Sequence, residues 1–85
     1  MIIQDIINID PDILGGTPVF KGTRVPVSSL FEHLENGTTI DEYIEDFPSV
    51  PRDFAIQVLE VSKISVLSLA NVQSFNENPN RRKSA

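Results

Sequence analysis

The chain has 85 residues, no cysteine and a formal net charge of -5. A chain of this length supplies one small hydrophobic core, which excludes a multidomain enzyme and disfavours a large catalytic cleft. The lack of cysteine excludes a disulfide framework and a thiolate metal site. Because no such crosslink is available, the composition favours a small binding module that gains stability by self-association.

The charged residues are unevenly distributed along the chain. Three of the seven basic residues, Arg81, Arg82 and Lys83, lie in the tail, so residues 1–78 hold four basic side chains against all twelve acidic ones. An acidic surface repels phosphates and attracts basic partners. We therefore expect the body not to bind nucleic acid non-specifically, whereas the tail retains the charge to contact an anion.

The hydrophobicity pattern predicts a cytoplasmic protein. The first residues are apolar and then acidic, without the basic region that opens a signal peptide. The longest apolar stretch is interrupted by Gln, Glu, Ser, Lys and Asn, which disfavours a membrane span. We expect no membrane partner.

The first 26 residues favour extended chain and turns. The β-branched side chains near the N-terminus suit a half-buried strand, and they are Ile2, Ile3, Ile6, Ile7 and Ile9. Residues 19–20 and 23–25 are expected to form two short strands on either side of a tight turn at Lys21 and Gly22. The segment therefore predicts a small sheet of two or three strands.

Helical periodicity begins after Pro26. Apolar residues at i, i+3, i+4 and i+7 predict a first helix over residues 27–36, and they are Val27, Leu30, Phe31 and Leu34. Ser29 with Glu32 is a candidate capping box at its start. Asn36 followed by Gly37 indicates the end of this helix, because glycine adopts the left-handed conformation easily.

A second, shorter helix is predicted over residues 39–47. Thr39 followed three residues later by Glu42 has the pattern of a capping box. Pro48 ends this helix after about two turns, because proline cannot continue a helical hydrogen-bond ladder. Pro51 suits the first turn of the next helix.

The third helix, from about residue 51 to about residue 72, is unusually apolar. Within residues 54–72, twelve of nineteen side chains are apolar and only Glu60 and Lys63 are charged. A helix that packs one side on a small monomer has a wider polar face. We therefore predict that its second half packs against the same helix of a second subunit, with Val61, Ile64 and Leu67 at the dimer interface. The alternative is that the N-terminal sheet covers this helix within one chain.

These elements define the predicted domain organisation and fold. Residues 1–75 form one domain, and residues 76–85 form a disordered basic tail because they lack apolar side chains for a core. The fold is predicted to be mostly α. It is a three-helix, helix-turn-helix-like bundle preceded by a small N-terminal β-hairpin or sheet, with the long third helix used for dimerisation.

The order of the helices matches a three-helix helix-turn-helix, which raises the possibility of DNA binding. Ser49 and Arg52, at the start of the third helix, are the candidate DNA-binding residues, together with Arg81 and Arg82 of the tail. The second helix carries four carboxylates, at residues 41, 42, 45 and 46, which oppose docking on phosphates. We therefore favour a helix-turn-helix that serves only as a scaffold.

The sequence shows no pattern that is typical of catalysis. His33 is the single histidine, beside Glu32 on the flank of an amphipathic helix, and we interpret it as a solvated surface residue. Neither serine nor lysine occurs in a recognisable nucleophile context, and acidic runs on helices are usually solvated faces. We predict that the protein is not an enzyme and binds no cofactor or metal.

Residues 10–27 read DPDILGGTPVFKGTRVPV. This run resembles the opening signature of a bacterial family catalogued as domain of unknown function 433, and the resemblance covers about residues 3–72. Eleven residues carry it: Asp10, Pro11, Gly15, Gly16, Pro18, Gly22, Thr23, Arg24, Pro26, Gly37 and Pro48. The basic tail and the unusually apolar third helix depart from the family pattern.

The family resembles VapB-type antitoxins with a homeodomain-like helix-turn-helix, so the resemblance implies a partner, a toxin with a PIN-like ribonuclease fold. Such nucleases hold a metal with carboxylates inside a basic rim. An acidic protein competes for that rim, and one inserted arginine neutralises the carboxylates. Arg24, with Lys21, is the candidate partner-binding residue. The alternative is that Arg24 locks the N-terminal turns through loop carbonyls, Asp10 or Asp12.

The predicted function is therefore an antitoxin-like binding protein that inhibits a PIN-like ribonuclease and, as a dimer, represses its own operon. One alternative is a stand-alone DNA-binding regulator with a helix-turn-helix. The other is a plain dimerisation or adaptor domain.

Overall fold

The computed structural model describes residues 3–76, with side chains described through residue 73. Two short strands and three α-helices follow in chain order: β1 (Ile7–Asn8), β2 (Val19–Phe20), α1 (Ser28–Glu35), α2 (Ile40–Asp46) and α3 (Arg52–Asn76). Short 3-10 turns lie at Ile3–Asp5 and Leu14–Gly16. The predicted mostly α fold with a small N-terminal sheet is confirmed.

The sheet is formed by β1 and β2, which pair antiparallel with Ile7 opposite Phe20 and Asn8 opposite Val19. The prediction of a strand over residues 23–25 is wrong: no strand forms there, and the pairing next to this segment is an isolated antiparallel bridge between Val19 and Pro26. The cause is local. The Thr23 hydroxyl bonds the backbone of this segment and replaces part of a strand ladder, and Pro26 has no N–H to donate.

The core lies between β2, α1, α2 and the first half of α3. Its buried side chains are Ile6, Val19, Phe20, Val27, Leu30, Tyr43, Val50, Ala55 and Val58. Burial of one large apolar side chain contributes roughly 1.5 to 3 kcal/mol. Because three helices and the strand pair all contribute to this core, they hold one another and the loop between β2 and α1 in place.

The two ends of α1 differ in how well the local sequence predicts them. At the C-terminal end, Gly37 has φ 89°, and the N–H of Thr38 donates to the carbonyl of His33 at 2.9 Å. This is a Schellman arrangement, so the predicted helix end is confirmed. At the start, the predicted capping box of Ser29 and Glu32 is wrong: the N-cap is Val27, which makes no side-chain cap bond.

The start of α2 is the predicted capping box. The N–H of Glu42 donates to the Thr39 hydroxyl at 3.1 Å, and the N–H of Thr39 donates to the Glu42 carboxylate at 2.9 Å. Hydrogen bonding to the backbone of Thr39, and secondly to its side chain, lowers the pKa of the Glu42 carboxyl from its ordinary value of 4.5. Two of the N–H groups that lack an intrahelical partner at this helix end are therefore satisfied by the chain itself.

Replacing Thr39 with alanine is expected to destabilise the fold by about 1 kcal/mol, because the cap bond to the N–H of Glu42 is lost. Urea unfolding followed by circular dichroism measures this loss. Thr38→Ala is the matched control, since the Thr38 hydroxyl makes no hydrogen bond within residues 3–76. An equal loss in both variants would contradict the capping role.

Helix α3 extends beyond the core on which its first half packs. Its 25 residues give a length of about 37 Å in a molecule whose longest dimension is 49 Å. Ala55 and Val58 are buried in the core, whereas every residue from 63 to 73 is exposed. The segment Arg52–Gln73, with a mean hydropathy of 1.3, is long and apolar enough to cross a membrane. Core helices of soluble proteins can have the same length and hydropathy, so these two properties are weak support for a membrane span.

Candidate partner-binding site

The family-like signature folds into a tight turn directly after β2. The N–H of Thr23 donates to the carbonyl of Phe20 at 3.0 Å, which closes a four-residue turn. Gly22, the third residue of this turn, has φ 81°, and a type II turn requires this conformation at that position. No atom of the described residues lies within 4 Å of the place a Cβ would take on Gly22. Glycine therefore suits this position because of its positive φ, and not because a side chain would lack space.

Four hydrogen bonds hold the loop around residue 24. The Thr23 hydroxyl donates to the carbonyl of Phe20 at 2.8 Å and accepts from the N–H of Val25 at 3.0 Å. The N–H of Phe20 donates to the carbonyl of Val25, and that of Val27 to the carbonyl of Pro18, both at 3.0 Å. Phe20 and Val27 are core residues, so the backbone that carries Arg24 is fixed on both sides.

Arg24 is exposed at the surface of this loop. Within residues 3–76, its guanidinium makes no hydrogen bond and no ion pair. The predicted alternative of a lock to Asp10 or Asp12 does not occur there, since the Asp10 carboxylate accepts instead from the N–H of Asp12 at 2.8 Å. The described structure thus presents a cation on a fixed backbone, with its five donors available to a carboxylate.

Lys21, the second predicted partner-binding residue, lies on the same turn and is exposed. Its ammonium donates to the carbonyl of Gln4 at 3.2 Å and so ties the N-terminal 3-10 turn to β2. It also borders an open apolar groove of about 690 Å³ beside β1, lined by Ile3, Gln4, Ile7, Asn8, Ile9 and Pro18. Lys21 therefore has a structural contact that Arg24 does not make within residues 3–76.

The residues that were predicted to contact DNA are not arranged as a basic surface. Arg52, at the first position of α3, pairs with the Asp41 carboxylate of α2 at 2.9 Å, a contact that their spacing of eleven residues did not predict. Ser49 is exposed in the turn between α2 and α3. Arg81 and Arg82 lie outside the described residues. The four carboxylates of α2 are exposed, which opposes docking of this helix on phosphates, so DNA binding gains no support and stays a prediction.

His33 is not the solvated side chain that the sequence predicted. It is half-buried, and its ring lies edge-on to Tyr43 and Phe47 with centroids 5.2 and 5.3 Å apart. Its Nδ1 lies 2.7 Å from the carbonyl of Ser29. The correction has a physical reason: the flank of α1 that carries His33 is covered by α2, which the periodicity of α1 alone does not reveal.

Beneath His33, Tyr43 connects α2 to α1. It is fully buried, and its hydroxyl lies 2.7 Å from the hydroxyl of Ser29, which itself donates to the carbonyl of Pro26. Burial raises the pKa of Tyr43, and the bond to Ser29 partly opposes this. This partly buried network fixes the start of α1 directly after the signature, so it helps to position Arg24.

The predicted dimer residues lie on the free part of α3. Val61 is half-buried, whereas Ile64 and Leu67 are each 58% exposed. Within residues 3–76, no group of three or more histidine and carboxylate side chains is placed to hold a metal ion. Among the described residues, the Arg24 loop is therefore the surface that offers a charged group best placed to bind a partner.

The comparison with protein-family models identifies one family. The family model described as a protein of unknown function (DUF433) matches residues 7–60. An uncharacterized protein of Sinorhizobium fredii, y4eO, is 43% identical over 47 residues, which are 55% of this chain and 21% of that protein. The chain thus spans about a fifth of this relative's length. No solved structure matches the chain.

Proposed function

We propose, on the premise that this chain belongs to the DUF433 family, that it is an antitoxin-like binding protein that inhibits a PIN-like ribonuclease. The observation that carries the proposal is Arg24, an exposed cation on a fixed loop without a hydrogen-bond or ion-pair partner within residues 3–76. In this proposal the chain is not an enzyme and acts by occupying the active site of its partner.

The chemistry of an arginine suits that role. A PIN-like nuclease gathers carboxylates to hold its metal ion, and a guanidinium binds carboxylates with two parallel, charge-assisted hydrogen bonds. Within residues 3–76, Arg24 has no ion pair to break before it binds. Since the backbone on both sides of Arg24 is already fixed by hydrogen bonds, its ordering on binding costs less entropy than that of a mobile loop.

The rest of the surface favours a basic partner. The described residues contain eleven carboxylates, and the exposed face of α2 alone presents Asp41, Glu42, Glu45 and Asp46. A nuclease that grips RNA needs a basic rim around its active site. Opposite potentials speed the encounter of two proteins and disfavour wrong partners. The acidic body would therefore guide the Arg24 loop to the rim and compete with RNA.

We place this complex in the cytoplasm, where such a nuclease meets its RNA. Repression of the chain's own operon remains a prediction. Binding to operator DNA needs positive charge, which the acidic body lacks because Arg52 is already paired with Asp41. In this proposal the partner supplies that charge.

The proposal is tested by co-expression of the full chain with the adjacent reading frame, followed by size-exclusion chromatography with light scattering. We expect a stable complex with a small PIN-like protein, with association slowed by added salt because the attraction is electrostatic. Failure of the two proteins to co-elute at low salt would contradict the proposal. A complex with DNA alone would instead favour the regulator alternative.

A further inference from the structure

The second half of α3 is an apolar surface that the rest of residues 3–76 leaves uncovered. Five large side chains in residues 64–72 are more than half exposed: Ile64, Val66, Leu67, Leu69 and Val72. Contiguous apolar patches on monomeric proteins are small, and larger ones mark interaction surfaces. A helix that is apolar on every side is stable where another surface buries it.

A bilayer does not fit this segment well. The first half of α3 is not free to insert, because Ala55 and Val58 are buried in the body. Residues 61–76 give a helix of about 24 Å, whereas the hydrocarbon core of a bilayer is about 30 Å thick. The segment also contains Lys63. A protein surface is therefore the better match.

The charge distribution favours a second copy of the chain as the protein that covers the second half of α3. The eleven carboxylates of the described residues all lie between Asp5 and Glu60, so residues 61–73 contain none. The one cation there, Lys63, pairs with Glu60 at 3.1 Å. Two acidic proteins repel each other, so they associate best through the part of the surface that lacks carboxylates. We propose that residues 61–73 of α3 pair antiparallel with the same residues of a second copy.

The antiparallel orientation follows from the acidic bodies. In a parallel pair the helix axes lie 8–10 Å apart, which brings the two bodies side by side at one end. In an antiparallel pair centred between Leu67 and Ser68, the two Arg52 ends lie about 46 Å apart. This is several times the distance over which salt screens charges. Antiparallel helices also place opposite dipole ends together.

The interface is a face of α3 with helical spacing. Val61, Ile64 and Leu67 lie on it, and Asn71 continues it by one turn. A dimer of twofold symmetry places each Ile64 opposite the partner's Asn71. Val66 and Leu69 lie on the other side of α3, in line with Ala55 and Val58, and stay outside this interface.

Cysteine crosslinking tests the orientation, because the chain has no cysteine of its own. Ile64→Cys and Asn71→Cys replace exposed residues, so both variants should fold. Mixed and oxidised, they are expected to give mainly the 64–71 disulfide. Each alone should crosslink poorly, since in an antiparallel pair two copies of residue 64 are offset by about 10 Å along the axis, beyond the reach of a disulfide. A mixture of Ile64→Cys with Glu45→Cys on α2 gives the level of random collision.

Light scattering on the full chain tests the dimer itself. We expect the chain to have twice the mass of 9.5 kDa. In Leu67→Glu we expect the dissociation constant of the dimer to be about 10-fold higher or more. Ser28→Glu, which adds the same charge at an exposed position on α1, should leave the dimer intact. A monomeric chain, or efficient self-crosslinking of Ile64→Cys, would overturn the proposal. Neither result depends on a nuclease, so the proposal stands or falls separately from the proposed function.

Discussion

Arg24→Ala is expected to weaken the binding of the proposed nuclease partner by at least 2 kcal/mol, about 30-fold, because it removes the guanidinium that would meet the active-site carboxylates in the proposed complex. The free energy of unfolding should change by less than about 0.5 kcal/mol, since Arg24 is exposed and makes no hydrogen bond or ion pair within residues 3–76. Titration calorimetry measures the first quantity and urea unfolding the second.

Two further variants show whether the loss of nuclease affinity in Arg24→Ala is specific to the guanidinium of this residue. Arg52→Ala removes an exposed arginine that is paired with Asp41, so it should change nuclease binding little. Arg24→Lys keeps the charge but loses the two-pronged geometry, and we expect an intermediate affinity. If Arg24→Ala bound the nuclease as tightly as the unmodified chain, the loop would not be the inhibitory element.

Tyr43→Ala is expected to cost about 3 to 5 kcal/mol of stability, because it empties a fully buried position between α1 and α2. This is a large share of the total stability of a domain of this size, which is on the order of 4 to 13 kcal/mol. The variant should therefore unfold at much lower urea concentration, with loss of the α1–α2 contact and of the loop that precedes α1.

Tyr43→Phe separates the ring from the hydroxyl. It should cost only about 1 kcal/mol, since the ring stays packed on Phe47 and the Ser29 hydroxyl keeps its bond to the carbonyl of Pro26. Urea unfolding of both variants, followed by circular dichroism, gives the comparison. Equal losses in Tyr43→Phe and Tyr43→Ala would show that the hydroxyl network, and not the packed ring, stabilises this part of the core.

The parts of the fold that depend on neighbouring residues were predictable from the sequence. The capping box of Thr39 and Glu42 and the helix end at Gly37 are satisfied within a few residues of chain. Their residue types leave little choice of backbone conformation, so the pattern predicts the structure directly.

The parts that depend on tertiary contacts were not predictable. Ser29 has the spacing of a helix cap with Glu32, yet its hydroxyl binds Pro26 and Tyr43 instead. His33 lies half-buried because α2 covers it, which one amphipathic helix does not reveal. The predicted strand over residues 23–25 failed because the Thr23 hydroxyl satisfies the backbone groups that a strand would pair.

The candidate site shows the same division. The family-like signature identified Arg24 and Lys21, but only the folded chain distinguishes them, since Lys21 binds the carbonyl of Gln4 and Arg24 makes no such bond within the described part of the chain. The pairing of Arg52 with Asp41 likewise depends on how α2 packs on α3. Spacing along the chain contains no information on either contact.

The most direct test of the proposed function is RNA cleavage by the proposed nuclease partner, measured while the full chain is added. We expect cleavage to fall to background as the chain reaches equimolar amounts, and Arg24→Ala to shift this titration to about 30-fold higher concentration. Cleavage that stays unchanged at a clear excess of the unmodified chain would contradict the proposed function.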